Sequence, residues 1–90
     1  MFKTLEELIT VIRQRQGSSV EGSYTKKLLK DKKLSIEKVK EEIAELIDAI
    51  GKNSNKVHES ADVLYHLMVL LEASGIKIED VIDELKKRQK

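Results

Sequence analysis

Apolar residues recur at helical spacing along most of the chain. Phe2, Leu5, Leu8, Ile9 and Ile12 follow a period near 3.6 residues, which predicts a first helix over residues 5–15. Thr4 and Glu7 read as a capping box at its start. Residues 16–23, QGSSVEGS, form the one stretch rich in glycine and serine and predict a loop. Ser23 then caps a short helix through Leu29, and the polar residues 30–34 turn the chain. Ser35 is the expected N-cap of the next helix. In that helix Ile36, Val39, Ile43, Leu46, Ile47 and Ile50 form a 3.6-residue stripe. Gly51 stands where a left-handed C-terminal residue is wanted, and residues 52–55 make a turn. A further helix spans 57–73, and Ser74-Gly75 ends it. In the last helix Ile78, Val81, Ile82 and Leu85 share one face. Glu79 and Asp80 lie at its start and Lys86, Lys87 and Arg88 at its end, as the helix dipole favours. The reading is one all-α domain over residues 1–90, a bundle of four main helices plus one short one.

The segment 57–73 departs from simple amphipathicity. Ala61, Val63, Leu64, Leu67, Met68, Val69, Leu70 and Leu71 cover most of its circumference. The exception is a strip of Glu59, Asp62 and His66, which fall within roughly 60° of one another at 100° per residue. A helix apolar on nearly all sides is a buried helix. Carboxylates on it must be paired, protonated or bound to a cation.

Composition narrows the setting. A chain of 90 residues buries only about 60–65 % of its unfolded surface, too little to enclose so greasy a helix easily. A second copy of the chain is expected to cover part of it, so a homodimer is predicted; the alternative is a central helix in a monomer. Lys and Arg number 17 against 16 Asp and Glu, a net charge of +1, which argues against nucleic-acid binding driven by phosphate attraction. One Phe, two Tyr and no Trp offer little for base stacking. There is no cysteine, so neither a disulfide framework nor a thiolate zinc site is possible. The longest unbroken apolar run, residues 67–71, cannot span a bilayer, and the N-terminus lacks a signal-peptide core. A soluble cytoplasmic protein without membrane association is expected.

The helix before the strip carries Glu41, Glu42 and Glu45. With the apolar stripe taken as inward, Glu42 lies about 90° from its centre and Glu45 about 150° away. Glu42 and Glu45 stand at i, i+3, as do Glu59 and Asp62, so each pair can converge on one point. The short link between the two helices makes them antiparallel neighbours, and four carboxylates could face one cleft. Two carboxylates about 5 Å apart repel by roughly 3 kcal/mol at an effective dielectric near 20. Such a cluster persists only if protons or a cation neutralise it. Oxygen ligands suit Mg²⁺ or Mn²⁺, and Mg²⁺ so held keeps positions for water and substrate phosphates. The chemistry suggested is metal-assisted attack of water on a phosphoanhydride. The bland alternatives are a solvated acidic face for Glu41, Glu42 and Glu45, pairing of Glu59 and Asp62 with Lys52 or Lys56, an i, i+4 ion pair of Lys38 with Glu42, and a hydrogen-bonded core role for His66.

Three stretches carry a family resemblance. They are Ser23-Tyr24-Thr25, then Lys38-Val39-x-Glu41-Glu42-x-x-Glu45, then Glu59-x-Ala61-Asp62-x-Leu64-Tyr65-His66-Leu67-x-Val69-Leu70-Leu71, with Arg88 beyond. Together they resemble the phosphoribosyl-ATP pyrophosphohydrolases of histidine biosynthesis. The two acidic pairs alone are shared with the wider superfamily of all-α nucleoside triphosphate pyrophosphatases, the MazG and dimeric dUTPase types.

The resemblance implies hydrolysis of 1-(5-phosphoribosyl)-ATP to 1-(5-phosphoribosyl)-AMP and pyrophosphate by a helical dimer. It implies Mg²⁺ held by Glu42, Glu45, Glu59 and Asp62, with Mn²⁺ as a possible substitute. Glu41 would be an outer group or a water-positioning base. Arg15, Ser23, Tyr24, Thr25 and Lys38 would belong to the substrate region, and His66 could touch substrate. The cyclohydrolase of the next step is an implied partner. The chain departs from many relatives at Lys40, where they carry glycine, and in the loop KDKKLS, about one residue short. Two other readings stay open: a MazG-like pyrophosphatase for other nucleotides, and a non-catalytic helical dimerisation module.

Overall fold

The computed structural model describes residues 1–17 and 23–89. They form five helices: α1 (Lys3–Gln16), α2 (Tyr24–Lys30), α3 (Lys32–Lys52), α4 (Lys56–Ala73) and α5 (Ile78–Arg88). The expected loop after α1 falls mainly on residues 18–22, outside the described ones. Helix α4 is central: α1, α2, α3 and α5 all pack against it, with α3 making the longest contact. Ile12 of α1, Leu28 of α2 and Val69 of α4 form the buried centre, lined by Leu8, Leu29, Leu34, Tyr65 and Met68. No described helix is long and apolar enough to cross a membrane.

Helix ends depart from expectation in three places. At α1 the capping box is not made. Phe2 is the N-cap, its carbonyl accepting from the Leu5 and Glu6 amides, and Thr4 already lies inside the first turn. At α3 the cap is Asp31, whose Oδ1 accepts from the Leu34 amide at 3.0 Å. A carboxylate there starts the helix one turn earlier, so the expected turn over 30–34 shrinks to Asp31 alone. Ser35 is therefore helical and fully buried. At the other end α3 runs through Gly51, and Asn53 takes the left-handed conformation at φ 55°, which a short polar side chain tolerates. Two expectations hold: Ser23 Oγ accepts from the Lys26 amide at 3.3 Å, and Gly75, at φ 72°, follows the end of α4.

The largest difference concerns rotation of α3. Its buried positions are Ser35, Val39 and Ala49, with Glu42 and Leu46 partly covered between them. At 100° per residue the packing direction is turned roughly 70° from the centre of the apolar stripe, toward Glu42. Glu42 thus lies inside the α3–α4 contact, its side chain 13 % exposed, and not on its flank. The same rotation leaves Ile36, Ile43, Ile47 and Ile50 exposed. On α4, Val57, Leu64 and Leu67 are exposed too, so that helix is only partly enclosed by its own chain.

Candidate metal centre

Burial of Glu42 and Glu59 disfavours their charged forms. The Glu42 carboxyl is pushed above its ordinary range, first by loss of solvent and then by Glu45, Asp62 and Glu59. Glu59 is raised by loss of solvent, then by Glu45 and Asp62, with His58 opposing. Acids on both α3 and α4 therefore stand close enough to oppose the ionisation of Glu42 and Glu59. Glu42 Oε2 and Glu59 Oε2 are buried without any hydrogen-bond partner. Unpartnered carboxylate oxygens in such a place are costly, and a divalent cation with oxygen ligands answers that need.

Candidate ligand atoms of Glu41, Glu42 and Glu45 lie within 4.8 Å of one another, as do those of His58, Glu59 and Asp62. Glu41 is half exposed and bonds the Lys38 ammonium at 3.4 Å, so Lys38 pairs at i, i+3 and not with Glu42 at i, i+4. Lys52 pairs with Asp48 at 3.0 Å, not with the strip. Asp62 Oδ2 instead faces His58 Nε2 at 3.4 Å.

His66 is buried behind the acids. Its Nε2 lies 3.9 Å from Glu42 Oε1, and its ring meets Tyr24 and Tyr65 edge-on at centroid distances of 5.9 and 5.0 Å. Burial lowers the imidazole pKa, aided by Lys38 and opposed by Asp62 and Glu41. The Tyr65 and Thr25 hydroxyls are hydrogen-bonded to each other. Within the Ser-Tyr-Thr triplet, then, Ser23 caps α2 and Thr25 ties α2 to α4. Tyr24 is half exposed beside His66. Its phenol is raised by burial foremost, with Lys38 opposing.

Arg15 sits in the last turn of α1 and makes no ion pair among the described residues. Its neighbour Arg13 carries a forked contact to Glu79, at 2.6 and 3.0 Å, and a longer one to Glu72. Lys40 is exposed and pairs with Glu37 at 3.8 Å, so its side chain leaves the acids alone.

Sequence reasoning missed His58 and Tyr65. The i, i+4 spacing of His58 to Asp62 was a readable signal. The Thr25–Tyr65 bond joins positions 40 apart, which no local pattern reports.

An antiparallel helix pair carrying ExxE and ExxD acids, with Glu42 and Glu59 perturbed by acids of both helices, is the arrangement expected of an all-α pyrophosphohydrolase. A family profile described as phosphoribosyl-ATP pyrophosphohydrolase matches residues 5–89. The chain belongs to that family. It is 43 % identical to a phosphoribosyl-ATP pyrophosphatase of Metallosphaera sedula, with both chains covered completely. It is 41 % identical to one from Methanococcoides burtonii, over 98 % of this chain and 94 % of that one. A histidine biosynthesis bifunctional protein HisIE of Pyrococcus furiosus is 42 % identical over 96 % of this chain, which spans 41 % of that longer protein.

Proposed function

We propose that this protein hydrolyses 1-(5-phosphoribosyl)-ATP to 1-(5-phosphoribosyl)-AMP and pyrophosphate, with Mg²⁺ or Mn²⁺ held by Glu42, Glu45, Glu59 and Asp62. The observation that carries the reading is that each helix contributes one buried, unpartnered carboxylate oxygen, from Glu42 and Glu59, and that both carboxyls are raised in part by acids on the two helices. A divalent cation there supplies a counter-charge to the phosphate oxygens and lowers the pKa of a water.

The chain's own side chains supply the rest. Glu41 stands at the rim of the acids and orients the attacking water; Lys38, bonded to Glu41, presents its remaining donors to a phosphate oxygen. Arg15 and the hydroxyl of Tyr24 serve as substrate contacts in this reading. Ser23 and Thr25 serve there by holding α2 in place, and His66 backs Glu42 from the dry side. Water adds at one phosphorus of the α–β phosphoanhydride, the bond from that phosphorus to the bridging oxygen breaks, and the other phosphate group departs with the bond's electron pair. The proton leaves through the acids to solvent.

A homodimer completes the structure in this reading: the exposed stripes of α3 and α4 are the kind of surface that a second copy covers. The cytoplasm is the proposed setting. The bifunctional relatives support proximity to the cyclohydrolase of the next step, here as a separate partner. Turnover of phosphoribosyl-ATP and of deoxynucleoside triphosphates, measured side by side with Mg²⁺, tests the assignment. Faster turnover of the deoxynucleotides would replace it with the MazG-like activity.

A further inference from the structure

We infer that His58 is an additional ligand of the divalent cation, making this site a mixed nitrogen–oxygen centre that favours Mn²⁺ or a later transition metal over Mg²⁺. The inference rests on the four-acid reading above and goes beyond it. His58 lies in the first turn of α4, one residue before Glu59 and one turn before Asp62. Its Nε2 is 3.4 Å from Asp62 Oδ2. One donor atom each from His58, Glu59 and Asp62 falls within a 4.8 Å spread, so small side-chain rotations bring them to the roughly 4 Å that an ion with bonds near 2 Å spans. Glu59, the middle member, has a buried oxygen with no partner.

The side chain is free to serve. His58 is largely exposed, so its rotation toward an ion disturbs no packing. Asp62 is its only polar partner among the described residues. The other histidine is placed differently: His66 is enclosed by Tyr24, Tyr65 and Glu42 and lacks that freedom. Imidazole nitrogen is a poor ligand for Mg²⁺ and suits the later transition metals best; Mn²⁺, at the start of that order, prefers oxygen but accepts a nitrogen more readily than Mg²⁺ does. One nitrogen added to four carboxylates shifts preference along that order without abolishing Mg²⁺ binding.

The test uses Mn²⁺ as both ligand and probe. Electron spin-echo envelope modulation of the Mn²⁺-loaded protein reads nitrogen bonded to the metal directly. The expected result is a ¹⁴N coupling in the wild type that persists in His66→Phe and vanishes in His58→Asn. Calorimetric titration should show the Mn²⁺ affinity of His58→Asn lowered at least about tenfold, since even outer partners of a ligand are worth roughly 10–100-fold. Its Mg²⁺ affinity should change by less than about twofold, because Mg²⁺ makes little use of nitrogen. Mn²⁺ bound with oxygen ligands alone overturns this inference and leaves the four-acid site standing, as does a coupling that survives in His58→Asn. Failure to bind Mn²⁺ at all overturns both.

Discussion

Replacing Glu42 by Gln should make the metal-free protein more stable and the metal-loaded protein less so. Glu42 and Glu45 offer oxygens within 4.8 Å of each other. At that distance two negative charges repel by about 1–3 kcal/mol for an effective dielectric between that of water and about 20. Asp62 and Glu59 add to the opposition. The amide keeps the shape but still leaves a buried polar group without a partner, at about 1–3 kcal/mol, a cost already present in the carboxylate. The net gain expected without metal is therefore about 1–2 kcal/mol. In a domain of this size that raises the melting temperature by roughly 4–8 °C per kcal/mol.

Metal reverses the order. At a hundredfold excess over its dissociation constant a cation stabilises the wild type by about 2.7 kcal/mol, and the variant, lacking one ligand, gains much less. The assay is a pair of thermal melts, with chelator and with saturating Mg²⁺, on both proteins. Crossing melting temperatures support the reasoning. A variant that melts below wild type in chelator, or equal stabilisation of both by Mg²⁺, refutes it.

The same acids set a pH dependence. Glu42 and Glu59 are raised above 4.5 in the fold, so their contribution to metal-free stability is complete below pH 4.5 and is lost as pH rises through their folded values; melts across pH in chelator should show this fall, and Mg²⁺ should flatten it. Glu79 has the opposite sign: Arg13 holds its carboxyl down at about 2, so its contribution is present above pH 4.5 and fades as pH drops toward 2. Glu79→Gln should accordingly speed amide exchange in α5 at neutral pH, with α3 and α4 unchanged. Asp31→Ala removes the cap of α3 and should cost about 1 kcal/mol by chemical denaturation; Ser35→Ala should cost no cap. Ile43→Asp with Ile47→Asp should convert a dimer to monomer in sedimentation, and an unchanged mass would discard the proposed interface.

Local pattern carried most of the helices but not their rotation. Apolar period predicts α1, α3, α4 and α5, and the Ser23 cap predicts α2; period and burial coincide at positions such as Ile12 and Val69. The stripe on α3 misled for a physical reason: it is wide enough to serve two contacts, and a single sequence does not say which edge meets α4. Packing on the Val39 edge drew Glu42 inward, so the site is more buried than the stripe's centre suggests. The cap of α3 was misplaced because Asp31, read only as part of a turn, caps the helix one turn before Ser35. The i, i+3 acids were legible because their convergence is a local property of one helix. Their meeting across α3 and α4 depended only on a short antiparallel link. Arg13 and Glu79, 66 positions apart, had no local signal at all.

That rotation links stability to activity. Had α3 packed on the middle of its stripe, Ile43 and Ile47 would be covered and Glu42 would lie in solvent, cheap to ionise and weak as a ligand. Turned as it is, the helix gives up apolar burial on its own chain and brings a charge inside. Both deficits are of a kind that binding corrects: a cation for the carboxylates, and a second copy for the isoleucines. The stripe isoleucines are already about half covered, so covering the rest is worth about 1 kcal/mol each, and two or three together are comparable to the cation term. The two should therefore act together. Dimer dissociation measured in chelator should be easier than in Mg²⁺, because α3 loses part of what fixes its rotation when Glu42 loses its counter-charge. Equal dissociation constants in the two conditions would mean that the α3–α4 contact is held by Val39, Leu46 and Ala49 alone, with the acids as passengers.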